Sequence, residues 1–168
     1  MANGPKSEKN LQDAFAGESQ ANRKYLAFAK QADKESLPQV ARLFRAAAEA
    51  ETVHAHNHLK ALGGIKNTKE NLMEAIGGET FEFKEMYPPM ISDAEQEGAA
   101  EALRSFKYAN TVEKTHAELY QKAFDTLGQE GDQFDYYVCP ICGHTVEKAA
   151  PDRCEVCGAA GSVFVQVK

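Results

Sequence analysis

Glu51-Thr-Val-His54 and Glu113-Lys-Thr-His116 repeat one pattern, a glutamate followed three residues later by a histidine, inside segments of helical periodicity. A step of three puts both side chains on one face of a helix, a turn apart. Upstream of each stands a lone glutamate after glycine, in Gly17-Glu18-Ser19 and Gly78-Glu79-Thr80. Glu18 precedes Glu51 by 33 positions and Glu79 precedes Glu113 by 34. The chain thus duplicates a helix pair, and each copy supplies two carboxylates and one imidazole. In a four-helix bundle such a set converges on two metal ions.

Working outward, the first helix is expected from about Glu8 to Glu35, with Pro38 breaking the chain before the second. The second runs from about Gln39 to Leu62 and stops at Gly63-Gly64. The third starts after Thr68 as N-cap and ends near Glu97-Gly98, kinked at Pro88-Pro89; the fourth covers about Ala99 to Leu127. Steps of three and four pick out the core lines. In the second helix they give Val40, Phe44, Ala47, Glu51, His54 and His58; in the fourth, Phe106, Ala109, Glu113, His116 and Tyr120. The candidate ligands lie inside these apolar stripes. Unpaired carboxylates are expensive to bury, so cations must offset them. Hard carboxylates with imidazoles favour iron or manganese. Glu82 shares the face of Glu79 and is either a seventh ligand or a rim residue; the pattern does not choose. His58 is a candidate to support the ligands by hydrogen bonding, and the hydroxyls of Tyr25 and Tyr87 either do the same or belong to ordinary core aromatics.

Residues 1–127 are therefore expected to form a helical metal-binding domain, 128–135 a polar linker, and 136–168 a small second domain of short strands and turns. That last part holds all four cysteines, as Cys139-Pro-Ile-Cys142-Gly143 and Cys154-Glu-Val-Cys157-Gly158. Two such knuckles offer four thiolates to one ion, and so short a segment needs a metal to hold its fold. Zinc is the commoner occupant of such a site. Beside a redox-capable carboxylate centre an iron makes better sense, with zinc possible in protein as isolated.

The net charge of −6 argues against a nucleic-acid partner, and no run is long enough for a membrane span. The first ten residues lack the apolar stretch of a signal peptide, and the cysteine spacing suits reduced thiols, so a cytoplasmic location is expected.

With these residues in place, the chain resembles the rubrerythrins over nearly its whole length. The likeness rests on Ala16-Gly-Glu-Ser19, Glu51-x-x-His54, Gly78-Glu-Thr-Phe-Glu82 running into Glu85-Met-Tyr-Pro88, Glu113-x-x-His116 and the cysteine tail. It implies a ferritin-like di-iron bundle followed by a rubredoxin-like iron domain, reducing hydrogen peroxide to water. Electrons would come from a separate NAD(P)H-linked reductase or a rubredoxin. The resemblance implies that Glu51 and Glu113 bridge the irons, that Glu18 is terminal on the first, and that Glu79 and His116 bind the second. It also implies that the first iron exchanges His54 for Glu82 on oxidation. Charge makes this reasonable: two ferrous ions are balanced by Glu18, Glu51, Glu79 and Glu113, and the extra positive charge of a hydroxo-bridged diferric pair is balanced by Glu82. His144 departs from the pattern, standing where rubredoxin-like knuckles often carry an aromatic. The 11 residues between the knuckles are far fewer than in free-standing rubredoxins but fit the shorter rubrerythrin tail. An alternative function is an iron-binding or ferroxidase protein of the ferritin kind with a zinc-ribbon tail.

A ferritin-like bundle also requires the second and third helices to run parallel. The second helix is ~36 Å long, whereas residues 63–68 span at most ~20 Å. The return cannot be made within one protomer. Either the bundle is a simple up-down-up-down one, or the third and fourth helices pack on the first and second of a partner chain. The homodimer exchanging helix pairs is the favoured expectation, because it preserves the duplicated ligand geometry.

Overall fold

The computed structural model describes residues 4–168; the first three positions of the expected helical domain and of the N-terminal stretch lie outside them. Helix α1 (Pro5–Lys34) and helix α2 (Pro38–Ala61) are joined by a turn in which Ser36 takes a positive φ of 59°. Pro38 opens α2 instead of preceding it. First-turn amides have no helical partner, so proline loses nothing there. The two helices pack through Ala29, Ala32, Ala41 and Ala48, all buried. Buried Asn22 pins them together, its amide donating to Ala48 O at 2.7 Å and to Thr52 Oγ1 at 2.8 Å. This pair forms one compact unit, ending at Lys66.

The second unit, Asn67–Lys168, begins with helix α3 (Thr68–Phe81). Its N-cap is Asn67, not Thr68: the Asn67 side chain accepts from the Glu70 amide at 3.0 Å. Helix α3 continues into a π-helical turn (Glu82–Met86) and helix α4 (Tyr87–Glu97), closed by Gly98 in the left-handed conformation. The expected proline kink takes this form because Pro88 and Pro89 bring no amide hydrogens to the carbonyls of Lys84 and Glu85. The turn widens instead, and the Tyr87 amide donates to Glu82 O, five residues back. Helix α5 (Ala100–Asp125) packs against α3, the π turn and α4.

The tail builds a three-stranded antiparallel sheet, ordered β2-β1-β3, from β1 (Tyr136–Val138), β2 (Thr145–Glu147) and β3 (Val165–Val167). Its interior is Cys139, Cys154 and His144. The sheet rests on α5 through a Lys122–Glu147 ion pair and through Gly143, where a Cβ would lie 3.8 Å from Val112.

Val40, His54 and Tyr120, expected on core lines, are exposed. A helix packed along one side buries a single strip, and these residues lie outside the strip their own unit covers. Phe28, Val53, Met73 and Phe81 are exposed as well. Among the described residues no helix is long and apolar enough to cross a membrane.

Candidate metal centres

In the first unit α1 supplies Glu18 and α2 supplies Glu51 and His54; one donor atom from each lies within 4.8 Å of the others. His54 Nδ1 faces Glu51 Oε2 at 2.8 Å. The Asn22 clamp sits one helical turn from Glu18 and from Glu51, so the spacing of the two carboxylates is fixed by the neighbouring layer.

The second unit repeats the arrangement with Glu79 of α3 and Glu113 and His116 of α5, again within 4.8 Å. His116 Nδ1 lies 2.8 Å from Glu113 Oε2 and 3.8 Å from Glu79 Oε1. Burial, then the charges of Glu113 and Glu82, push the Glu79 carboxyl up from 4.5 to about 7. Burial and Glu113 also raise Glu82, opposed by His116. The Tyr87 phenol is raised by burial and by Glu82, Glu113 and Glu79. Such crowding of negative charge is what a bound cation relieves. Glu82 thus stands beside this cluster, on the π turn, but outside its tightest set. Tyr87 packs on Phe106, and Tyr25 on Phe28 and Phe44. His58 is half-buried and His56 exposed, and neither joins a cluster among the described residues.

The four thiols also converge within 4.8 Å, with Cys139 Sγ 3.6 Å from Cys157 Sγ and Cys142 Sγ 3.5 Å from Cys154 Sγ. Disulfides would bring sulfurs to ~2 Å. Tetrahedral bonds of ~2.3 Å place them ~3.8 Å apart, close to what is seen. Each knuckle is closed by a glycine amide, Gly143 N–H to Cys139 O and Gly158 N–H to Cys154 O, and both glycines have positive φ. Burial works against a Cys139 thiolate, but the backbone amides of Ile141 and Cys142 together with hydrogen bonds from the Cys157 and Cys142 thiols outweigh it and bring the group down to about 7. Burial pushes Cys142 and Cys157 up. Cys142 and Cys157 form the more exposed edge of the set. His144 is buried beneath it, its Nε2 3.1 Å from Glu155 Oε1.

One contact had no counterpart in the sequence pattern. Thr145 Oγ1 lies 3.0 Å from His116 Nε2, joining residues 29 positions apart. The oxygen and nitrogen donors fit iron or manganese, and the four thiolates fit iron or zinc.

A family model described as Rubrerythrin matches residues 9–124. The chain is 35% identical to rubrerythrin-2 of Clostridium acetobutylicum, covering 92% of each sequence. It is 34% identical to the rubrerythrin of Porphyromonas gingivalis over 98% of this chain and 92% of that one. Nigerythrin of Nitratidesulfovibrio vulgaris is 33% identical over 89% and 80%. The structure of mixed-valence nigerythrin aligns with a TM-score of 0.58 at 31% identity, covering 99% of this chain and 88% of that one. The all-ferrous form aligns with a TM-score of 0.59. The expected fold class, a mainly helical ferritin-like protein with a small C-terminal rubredoxin-like domain, is the one observed.

Proposed function

Because this chain belongs to the rubrerythrin family, we propose that it is a non-haem di-iron peroxidase, reducing hydrogen peroxide to water with electrons relayed through the C-terminal iron. Its cofactors are a di-iron centre of the glutamate–histidine type and one rubredoxin-type iron held by Cys139, Cys142, Cys154 and Cys157. The observation that carries the reading is the seat of the thiolate domain. It lies on α5, the helix bearing Glu113 and His116, with Thr145 hydrogen-bonded to that histidine. An electron relay needs such proximity; iron storage does not.

Each unit supplies two carboxylates and an imidazole, half of a two-metal site. Glu51 and Glu113 would be shared between the two irons, Glu18 would hold one of them, and Glu79 with His116 would hold the other. His54 and Glu82 are the residues proposed to exchange. His54 is 54% exposed and paired with Glu51, free enough to turn away. Glu82 sits on the widened π turn, where the backbone has room to shift. The two irons, when bound, supply one electron each to the peroxide. We place both halves of each centre in a homodimer that exchanges helix pairs, one chain giving Glu18, Glu51 and His54, the other Glu79, Glu82, Glu113 and His116. A cytoplasmic location and a separate NAD(P)H-linked reductase or rubredoxin as donor complete the proposal.

The test is anaerobic stopped-flow mixing of fully reduced, iron-loaded protein with hydrogen peroxide, following the visible thiolate-to-iron band of the tail, with oxygen as control. Rapid return of the band with peroxide and slow return with oxygen is expected. A band indifferent to peroxide would refute the relay and favour the iron-binding or ferroxidase reading.

A further inference from the structure

Thr145 opens β2 and is half-buried. Its hydroxyl makes two hydrogen bonds, with Gly143 O at 3.1 Å and with His116 Nε2 at 3.0 Å. A hydroxyl owns one proton. The Gly143 carbonyl can only accept, so that proton is committed to it. Thr145 Oγ1 is left to accept, and Nε2 of His116 must be the donor. Nε2 thus carries a hydrogen in either protonation state. In the neutral imidazole that a metal at the cluster needs, the lone pair is on Nδ1, replacing the proton that otherwise bridges it to Glu113. Nδ1 is the atom that faces Glu113 and Glu79. That tautomer and that ring orientation are what a metal at the carboxylate cluster requires.

We propose that Thr145 is a positioning residue for the carboxylate centre: a hydroxyl carried by the thiolate domain sets the tautomer and orientation of His116. The inference rests on the reading of His116 as a metal ligand. It makes the metal affinity of one centre depend on how the domain holding the other is seated on α5. The link is short, because Gly143 directly follows Cys142 and lies against Val112 of α5. It also separates the two histidines. His116 is held from behind and only 27% exposed, while His54 is 54% exposed. A fixed histidine and a loosely held one suit a site in which only one is to leave.

The experiment compares wild type, Thr145→Val and Thr145→Ala, which delete the hydroxyl, with Thr145→Ser, which keeps it. Ferrous iron is titrated anaerobically into full-length protein whose thiolate site already carries zinc. Deletion is expected to weaken binding at the carboxylates about 10–100-fold, and serine to return it to the wild-type value. A second readout is the His116 Nε2–H signal in fully zinc-substituted, nitrogen-15-labelled protein. It should be protected from exchange in wild type and Thr145→Ser and lost in the deletions. The iron–thiolate band of separately iron-loaded samples verifies that each tail is folded, and the two deletions guard against one failing that check. If wild type takes no iron at the carboxylates, the ligand reading itself fails. If wild type binds and the deletions bind equally, with Nε2–H unchanged, the role of Thr145 is overturned.

Discussion

Replacing Glu79 by glutamine should have opposite effects on stability in metal-stripped and iron-loaded protein. Burial and the facing charges of Glu113 and Glu82 hold the Glu79 carboxyl near 7 in the folded chain, against 4.5 ordinarily. Below pH 4.5 the group is protonated in both states and has no effect. As pH rises from 4.5 through 7, the unfolded chain ionises first and the folded state loses stability; above 7 the loss is complete. At ~1.4 kcal/mol per pKa unit the full loss would be ~3 kcal/mol. The side chain retains solvent access, which screens this to about 1–2 kcal/mol. Glutamine mimics the protonated acid. Stripped Glu79→Gln protein should therefore be more stable than wild type by about 1–2 kcal/mol at pH 8, with the gain fading towards pH 4.5. With iron bound the sign should reverse, because the substitution would remove the charged ligand proposed at this position. Urea denaturation at pH 5, 6, 7 and 8, with the thiolate site kept zinc-loaded, measures both arms. A stripped variant no more stable than wild type at pH 8 would refute the argument that like charges are crowded at this cluster.

Glu82→Ala should lower peroxide turnover about 10–100-fold while the tail band stays intact; unchanged turnover would count against the ligand exchange. Helix-pair exchange predicts complementation between Glu51→Ala and Glu113→Ala proteins, unfolded and refolded together. Half the dimers would be mixed, each with one intact site of two, so about one quarter of wild-type iron should return; no recovery would rule the exchange out. Gly143→Ala should cost about 1–2 kcal/mol, since φ is +83° and a side chain is strained there. Faster loss of the tail metal to a chelator would report it.

The duplicated glutamate–histidine clusters and the cysteine knuckles were legible as groupings because each rests on short-range spacing. Glu51 and His54 share a helix face by a step of three, and Cys-x-x-Cys-Gly closes its own turn. Boundaries were less so: Asn67 and Thr68 are both good caps, and only the Glu70 amide decides between them. The consecutive prolines announced a distortion without its form. Relief could have come as a bend, and the register shift that puts Glu82 on a π turn depends on how α5 holds the segment. His144 stood out as an unusual residue after the knuckle, but its burial and its pairing with Glu155 depend on the folded tail. Thr145 was invisible. A threonine opening a strand is ordinary, and its partner lies 29 residues away on another element.

The seat of the tail also weighs between the two functional readings on physical grounds. A zinc ribbon that serves partner docking gains nothing by burying its knuckle against the helix that carries Glu113 and His116. Here the Gly143 turn approaches Val112, one position before Glu113, and Lys122 of the same helix pairs with Glu147 of β2. The hydrogen bond from His116 to Thr145 and on to Gly143 O leads directly to the residue after Cys142. The thiolate edge left open, Cys142 and Cys157, is where the proposed external donor would approach. One side of the thiolate set is thus available to a donor while a bonded path leaves towards the carboxylates. A storage or docking role would leave both features without a purpose; an electron relay uses each.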